Sequence, residues 1–316
     1  MNTMKKITIL IPCYNEEASL HFLYERLNAL MAELSGYEFE VLFVNDGSRD
    51  RTLDIIKEYA KSDDRISYID LSRNFGKETA MIAGIDHVDS DALIIMDADL
   101  QDPPSLIPEM VKWWEKGYKD VCAKRRSRAG ETWFKKWSSH AYYRILQRVS
   151  RIPIQADVGD FRLLDRECVD ALKQIRESQR YTKGLFSWIG FDKKEILFDR
   201  DPRIAGRTKW NYGSLFNLAI EGLTSFTTAP LRIASFIGIA AALLAIIYMA
   251  AIIIKTIVEG EDVPGYPSLI CVILFTSGVQ LFFLGIIGEY LGQVFNETKR
   301  RPLYFIKTYK KGKANE

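Results

Sequence analysis

A chain of 316 residues leaves room for about two domains. Its formal net charge of +2, from 43 basic and 41 acidic side chains, is too small for a nucleic-acid binder. The four cysteines (Cys13, Cys122, Cys168, Cys271) offer no pair at metal or redox spacing and fit a reducing compartment, and His21, His87 and His140 do not cluster as zinc ligands would.

The first 200 residues alternate strand and helix. Ile7–Ile11 follows Lys5-Lys6 as a signal peptide would, but the run is too short and Pro12 and Asn15-Glu16-Glu17 follow at once, so it reads as strand one. Glu16–Leu34 has helical spacing, with Leu20, Leu23, Leu27, Leu30 and Leu34 on one face. Phe39–Val44 is strand two, and Asn45-Asp46-Gly47-Ser48 turns out of it. Arg51–Tyr59 reads as helix, Ile66–Leu71 as strand, Glu78–His87 as helix, and the apolar Ala92–Met96 as a buried strand. This order predicts an α/β fold with a parallel sheet and right-handed crossovers. Neither a Gly-x-Gly-x-x-Gly fingerprint nor a Walker loop is present, so nucleotide phosphates must be held another way.

Met96-Asp97-Ala98-Asp99-Leu100-Gln101-Asp102-Pro103-Pro104 organises the chain. Asp97 and Asp99 sit where a buried strand ends, the position at which open α/β sheets bind ligands. Pro103-Pro104 stops the strand and opens the next helix. Two aspartates one residue apart, with Gln101 beyond, form a hard oxygen cluster suited to Mg2+ or Mn2+ carrying substrate phosphates. The plainer alternative is that both aspartates only cap the following helix. Three further loops end strands beside this one. Tyr14 is able to stack on a base and Glu16 to accept from a base or ribose; Asp46 ends strand two; Lys77 and Glu78 follow Arg73-Asn74-Phe75-Gly76.

Pro12-Cys13-Tyr14-Asn15-Glu16-Glu17, Val44-Asn45-Asp46-Gly47-Ser48-Arg49-Asp50 and Asp97-Ala98-Asp99-Leu100-Gln101-Asp102-Pro103-Pro104 together resemble family 2 glycosyltransferases of GT-A fold. Arg73-Asn74-Phe75-Gly76-Lys77-Glu78, Gly159-Asp160-Phe161-Arg162-Leu163 and Arg203-Ile204-Ala205-Gly206-Arg207-Thr208-Lys209-Trp210 narrow the resemblance to the polyprenyl-phosphate branch. That branch includes dolichol-phosphate mannose synthases and bactoprenol glucosyltransferases. The resemblance covers about residues 5 to 300; Asn45 departs from it, since many relatives carry a second aspartate there. It implies a Rossmann-like, mostly parallel sheet with helices on both faces, followed by a C-terminal two-helix transmembrane hairpin. It implies nucleotide contacts at Pro12, Tyr14, Glu16 and Asp46, with Lys77 and Ala98 in the same binding set. Asp97 would lie by the ribose and metal, and Asp99 and Gln101 would ligate the metal. Arg125 or Arg126, after the Asp120–Ala123 strand, would hold phosphate, and the sequence does not choose between them. Asp160 stands where relatives place a functional carboxylate, which orients acceptor or sugar or takes a proton; Asp157 is the second candidate.

The remaining chain points to a bilayer. Trp133–Val149 carries an apolar face with Trp133, Trp137, Ala141, Ile145 and Val149, suited either to a membrane interface or to the core. Trp210–Thr228 is a second such helix, and Arg203, Arg207 and Lys209 just before it are placed to meet a lipid phosphate. Ile233–Ile254 has no charged residue and is long enough to span a bilayer, and Leu269–Leu291 is a second span, joined by the polar linker Lys255–Pro267. Glycines 278, 285, 288 and 292 permit close helix contact and hence a homo-oligomer. Lys299, Arg300, Arg301, Lys307, Lys310, Lys311 and Lys313 form a basic tail that marks the cytoplasmic side. The expected division is therefore a catalytic domain over 1–200, a juxtamembrane acceptor segment over 201–230, two spans (about 233–254 and 269–291) within 231–292, and a tail over 293–316. Both termini and the catalytic domain would be cytoplasmic, on the inner (plasma) membrane.

Together these readings predict an inverting glycosyltransferase. A nucleotide-sugar donor, UDP-glucose first by resemblance, would give its hexose to polyprenyl (undecaprenyl) phosphate for cell-envelope glycan modification. GDP-mannose, UDP-galactose and UDP-N-acetylglucosamine are the alternative donors. A processive polysaccharide synthase would need a Gln-x-x-Arg-Trp motif and more spans, and neither is present. A non-catalytic scaffold or flippase partner is the alternative of another class; the intact Asp97, Asp99 and Gln101 argue against it.

Overall fold

A computed structural model describes residues 4–126, 158–177, 182–199, 227–259 and 265–312. The first half alternates as expected: β1 (Lys6–Cys13), α1 (Leu20–Glu33), β2 (Glu38–Asn45), α2 (Thr52–Ser62), β3 (Ile66–Leu71), α3 (Lys77–His87) and β4 (Ala92–Ile95). A 3-10 turn over Pro104–Leu106 leads into α4 (Ile107–Glu115). Then come β5 (Asp120–Arg125), β6 (Val158–Asp165), α5 (Arg166–Gln174), α6 (Thr182–Trp188) and β7 (Lys193–Phe198). Two long helices follow, α7 (Ala229–Glu259) and α8 (Tyr266–Thr298), and then β8 (Ile306–Lys310).

Among the described residues the eight strands form one sheet, in the order β7-β5-β6-β4-β1-β2-β3-β8. β4, β1, β2 and β3 run parallel, as do β5 and β7. β6 runs antiparallel to both β4 and β5, and β8 antiparallel to β3. The sheet is thus more mixed than the first four strands imply. Alternation along β1 sorts the core into two layers. Ile7, Ile9 and Ile11 join the apolar cluster built with Leu20, Leu23 and Leu27 of α1, Ile56 of α2 and Met110 of α4. Leu10 points to the opposite face, where α3 lies so close that a Cβ on Gly84 would sit 2.1 Å from Leu10 Cδ1. A larger residue at Gly84 would force Leu10 or α3 to shift.

The chain divides into two compact units, 1–219 with 301–316, and 220–300. The 293–316 stretch, expected as a tail, therefore contains a strand of the sheet. Phe305 O accepts from Ser72 N, and Tyr304 donates to Asp86 Oδ2 at 2.8 Å. In the second unit α7 and α8 pack on each other, and Tyr290 donates to Thr227 O at 2.6 Å. Candidate spans cover Ala229–Lys255 and Leu269–Thr298, with mean hydropathies of 2.8 and 2.4. Neither is buried by protein, so this is not the core of a soluble domain; Leu244, Ile247, Phe275 and Phe282 stand exposed. At about 1.5 Å per residue both exceed a 30 Å hydrocarbon layer. Gly278, Gly285, Gly288 and Gly292 do not touch α7: a Cβ at any of them would meet nothing within 4 Å.

Candidate active site

The parallel strands deliver their C-terminal ends to one side of the sheet, and loops from four strands meet there. The β1 and β2 loops are stitched together through backbone groups. Asp46 N donates to Cys13 O (2.9 Å), Asn15 N to Ser48 Oγ (3.0 Å), Arg49 N to Asn15 Oδ1 (2.8 Å) and Glu16 N to Thr52 Oγ1 (2.8 Å). Asn15 takes φ 55°, a left-handed conformation that asparagine tolerates. This stitching explains why α1 starts at Leu20 rather than at Glu16: residues 14–19 form the loop. Tyr14 and Glu16 in this loop, and Pro12 near the end of β1, are half-buried.

Asp46 is 2% exposed and turns inward. Its two carboxylate oxygens accept from Phe75 N (2.7 Å) and Gly76 N (2.9 Å). Burial raises its pKa, opposed by those N–H groups and by Arg73. Asp46 thus anchors the loop before α3. Gly47, at φ 65°, lets that loop close: a Cβ there would lie 2.6 Å from the backbone of Arg73 and Asn74.

The anchored loop presents Lys77 as the first residue of α3. Its ammonium stands 2.6 Å from Asp97 Oδ1 and 2.7 Å from Asp160 Oδ2. Burial disfavours the charged lysine, but Asp160 and Asp97 outweigh it and push the pKa well above the usual lysine value. The lysine side chain is 42% exposed, against 26% for Asp97 and 12% for Asp160, so water partly screens the cluster. β4 and β6 bring the two carboxylates together. Their antiparallel register pairs Ile95 with Arg162, so the end of β4 faces the beginning of β6.

Asp99 is 9% exposed, and its Oδ1 accepts from Gln101 N at 3.1 Å. Between them Leu100 is fully buried at φ 59°, a conformation that costs a branched side chain roughly 1–3 kcal/mol. Leu100 and Ala98 are both buried in the apolar cluster, which holds this turn in place. Among the described residues no three His, Cys, Asp or Glu side chains already form an ion cage. The donor set still fits Mg2+ or Mn2+, which keep several waters and bind through one or two carboxylates plus substrate phosphates. Asp97 already faces a cation, the Lys77 ammonium, at 2.6 Å.

Arg125 ends β5 half-buried, in register with Phe198 of β7, whereas Arg126 is exposed and pairs with Asp199 at 3.3 Å. Arg162, which the sequence offers only as part of a motif, has a structural role here. It is 2% exposed, pairs with the fully buried Asp120 at 3.0 Å, donates to Gly159 O at 3.1 Å, and lies 3.8 Å from the Phe186 ring. It ties down the start of β6, which carries Asp160. The signal was a charged side chain at an inward position of an apolar strand. Asp157, Arg203, Arg207 and Lys209, the helix at 133–149 and residues 210–226 lie outside the described residues.

Residues 8–173 match the profile of glycosyl transferase family 2. The chain belongs to that family. It is a glycosyltransferase of GT-A fold. Residues 229–294 match a second profile, the GtrB C-terminal hairpin. A glycosyltransferase of Synechocystis is 48% identical over 95% of this chain and 94% of its own length. The bactoprenol glucosyl transferase of Shigella phage SfX is 42% identical over 96% of this chain and 100% of its own. Glucosyl-3-phosphoglycerate synthase from Mycobacterium tuberculosis, solved with Mn2+ and UDP, is 17% identical. It superposes with a TM-score of 0.50 over 70% of this chain and 76% of its own, a likeness of fold.

Proposed function

We propose that this glycosyltransferase moves glucose from a nucleotide-sugar, UDP-glucose, to the phosphate of a membrane polyprenyl carrier. One observation carries the reading: a single chain joins the GT-A domain to the hairpin, and a bactoprenol glucosyl transferase matches it along the whole length. A soluble donor and a lipid acceptor need a site held against a bilayer, and this architecture supplies both parts. The acceptor phosphate oxygen attacks the anomeric carbon as the bond from that carbon to the diphosphate breaks. The nucleoside diphosphate leaves on the opposite face and configuration inverts. A divalent ion held by Asp97 and Asp99, with Gln101 beside them, supplies Lewis-acid stabilisation of the leaving diphosphate when bound.

This chain's own residues position the reaction. The end of β1 and the loop after it, with Pro12, Tyr14 and Glu16, form the wall for base and ribose. Arg125 or Arg126, Arg203 and Lys209 add positive charge for the two phosphate groups. The nucleophile is already anionic, so Asp160 orients acceptor or sugar and takes a proton only from a protonated phosphate. Asp157 is the alternative for that role. The catalytic domain and both termini lie on the cytoplasmic face, where the sugar nucleotide is. Purified protein incubated with undecaprenyl phosphate and each of UDP-glucose, UDP-galactose, UDP-N-acetylglucosamine and GDP-mannose tests the reading. A lipid product with the mass of a phosphohexose from UDP-glucose is expected. No product from any donor rejects the reaction, and product from another donor alone rejects glucose.

A further inference from the structure

Lys77 is the one ammonium, among the described residues, that bridges the loop after β4 and the start of β6. Asp97 belongs to the candidate metal loop after β4, and Asp160 to the first residues of β6. Their carboxylates face one another across neighbouring strands, and like charges at that spacing repel. Lys77 joins them, at 2.6 Å from one and 2.7 Å from the other. Its position is not loose, because Asp46 clamps Phe75 and Gly76 immediately before it. A divalent ion on Asp97 and Asp99 would bring more positive charge to the oxygen that the ammonium already faces.

We propose that Lys77 is a tethered counter-ion: it occupies the cation position on Asp97 before metal arrives, yields that oxygen to the metal, and stays on Asp160. The inference rests on the metal reading above. Lys77 is then a positioning residue, and metal binding to the bare enzyme is a competition with an internal cation. Removing the ammonium should tighten metal binding in the absence of nucleotide. A lysine that served only as a ligand for the donor phosphates would behave otherwise: its loss would weaken binding of nucleotide with metal and leave the bare-metal affinity unchanged.

Mn2+ is titrated into the full-length protein in detergent, with free Mn2+ followed by its paramagnetic resonance signal, without and with UDP. Because the bridge is half exposed and partly screened, Lys77→Gln should lower the Mn2+ Kd without UDP on the order of fivefold. Lys77→Met, which keeps the apolar stem, should do the same, while Lys77→Arg should resemble the wild type. Asp99→Asn should weaken Mn2+ in every background. Unchanged or weaker Mn2+ binding in both Lys77→Gln and Lys77→Met overturns the counter-ion role while leaving the metal reading standing. Absence of Mn2+ binding in the wild type, with UDP present, overturns the metal reading itself and the inference with it.

Discussion

Asp46 commits both carboxylate oxygens to the chain's own backbone, although its place at the end of β2 marks it as a nucleotide contact in sequence. The two roles meet in the loop it holds, since that loop sets Lys77 over the site. Asp46→Ala leaves two loop N–H groups without their acceptor. Hydrogen bonds to a charged group are worth about 1.5–3 kcal/mol each, so a loss of about 2 kcal/mol or more is expected in thermal unfolding. The apparent donor KM should rise as well; an unchanged melting midpoint would refute the anchor. Asp99 differs, because its loss should spare the fold. Asp99→Asn should remove most activity with little change in melting, and a chelator should mimic it until Mn2+ or Mg2+ is restored. Full turnover in the chelator would dismiss the metal. None of these partnerships is legible in sequence: Lys77 meets residues 20 and 83 positions away, and no pattern along the chain records that.

At the scale of elements, legibility follows burial. β4 is wholly apolar and β1 to β3 are mostly apolar, with their central residues buried on both faces as those of parallel strands are, and so they are readable. β6 contains Gly159, Asp160 and Arg162 among its apolar residues, and this mixture hides its strand character until partners on β4 and β5 are known. β8, Ile-Lys-Thr-Tyr-Lys, is exposed along most of its length and reads as part of a basic tail. Asp165 shows how β6 is tied in. It accepts from Trp114 Nε1 of α4 (2.8 Å), from Lys119 Nζ (3.1 Å), and from Glu167 N as the cap of α5 (3.1 Å). Burial alone would raise its pKa, but these donors outweigh it and hold the carboxyl below the usual aspartate value. An acid depressed in the fold contributes stability that is full above its unfolded pKa, about 3.9, and is lost as pH falls through the folded value. The wild-type melting midpoint should therefore drop below about pH 4. Asp165→Asn should start lower at neutral pH and show a shallower acid decline; an identical decline in both proteins would assign the acid limb to other carboxylates.

On the scale of the whole molecule, β8 constrains membrane topology more tightly than charge counting does. The strand follows both long helices and pairs with β3 of the catalytic sheet, from Tyr68 with Lys310 to Leu71 with Ile306. A strand cannot pair through a bilayer, so the two ends of the helical hairpin must lie on one side, and the number of spans between them must be even. In the proposed orientation the basic residues around that strand lie on the cytoplasmic side. Single cysteines placed at Lys61, Lys311 and Glu261 test this in intact cells with a membrane-impermeant maleimide. The native background suits the experiment: Cys13, Cys122 and Cys168 are buried, and Cys271, which lies within the second candidate span, is removed as Cys271→Ala. Glu261→Cys should label at once, whereas Lys61→Cys and Lys311→Cys should label only after lysis. Labelling of the last two in intact cells would reverse the orientation yet keep the pairing. Labelling of Lys311→Cys without Lys61→Cys would place the catalytic sheet and β8 on opposite sides, which the β3–β8 ladder forbids.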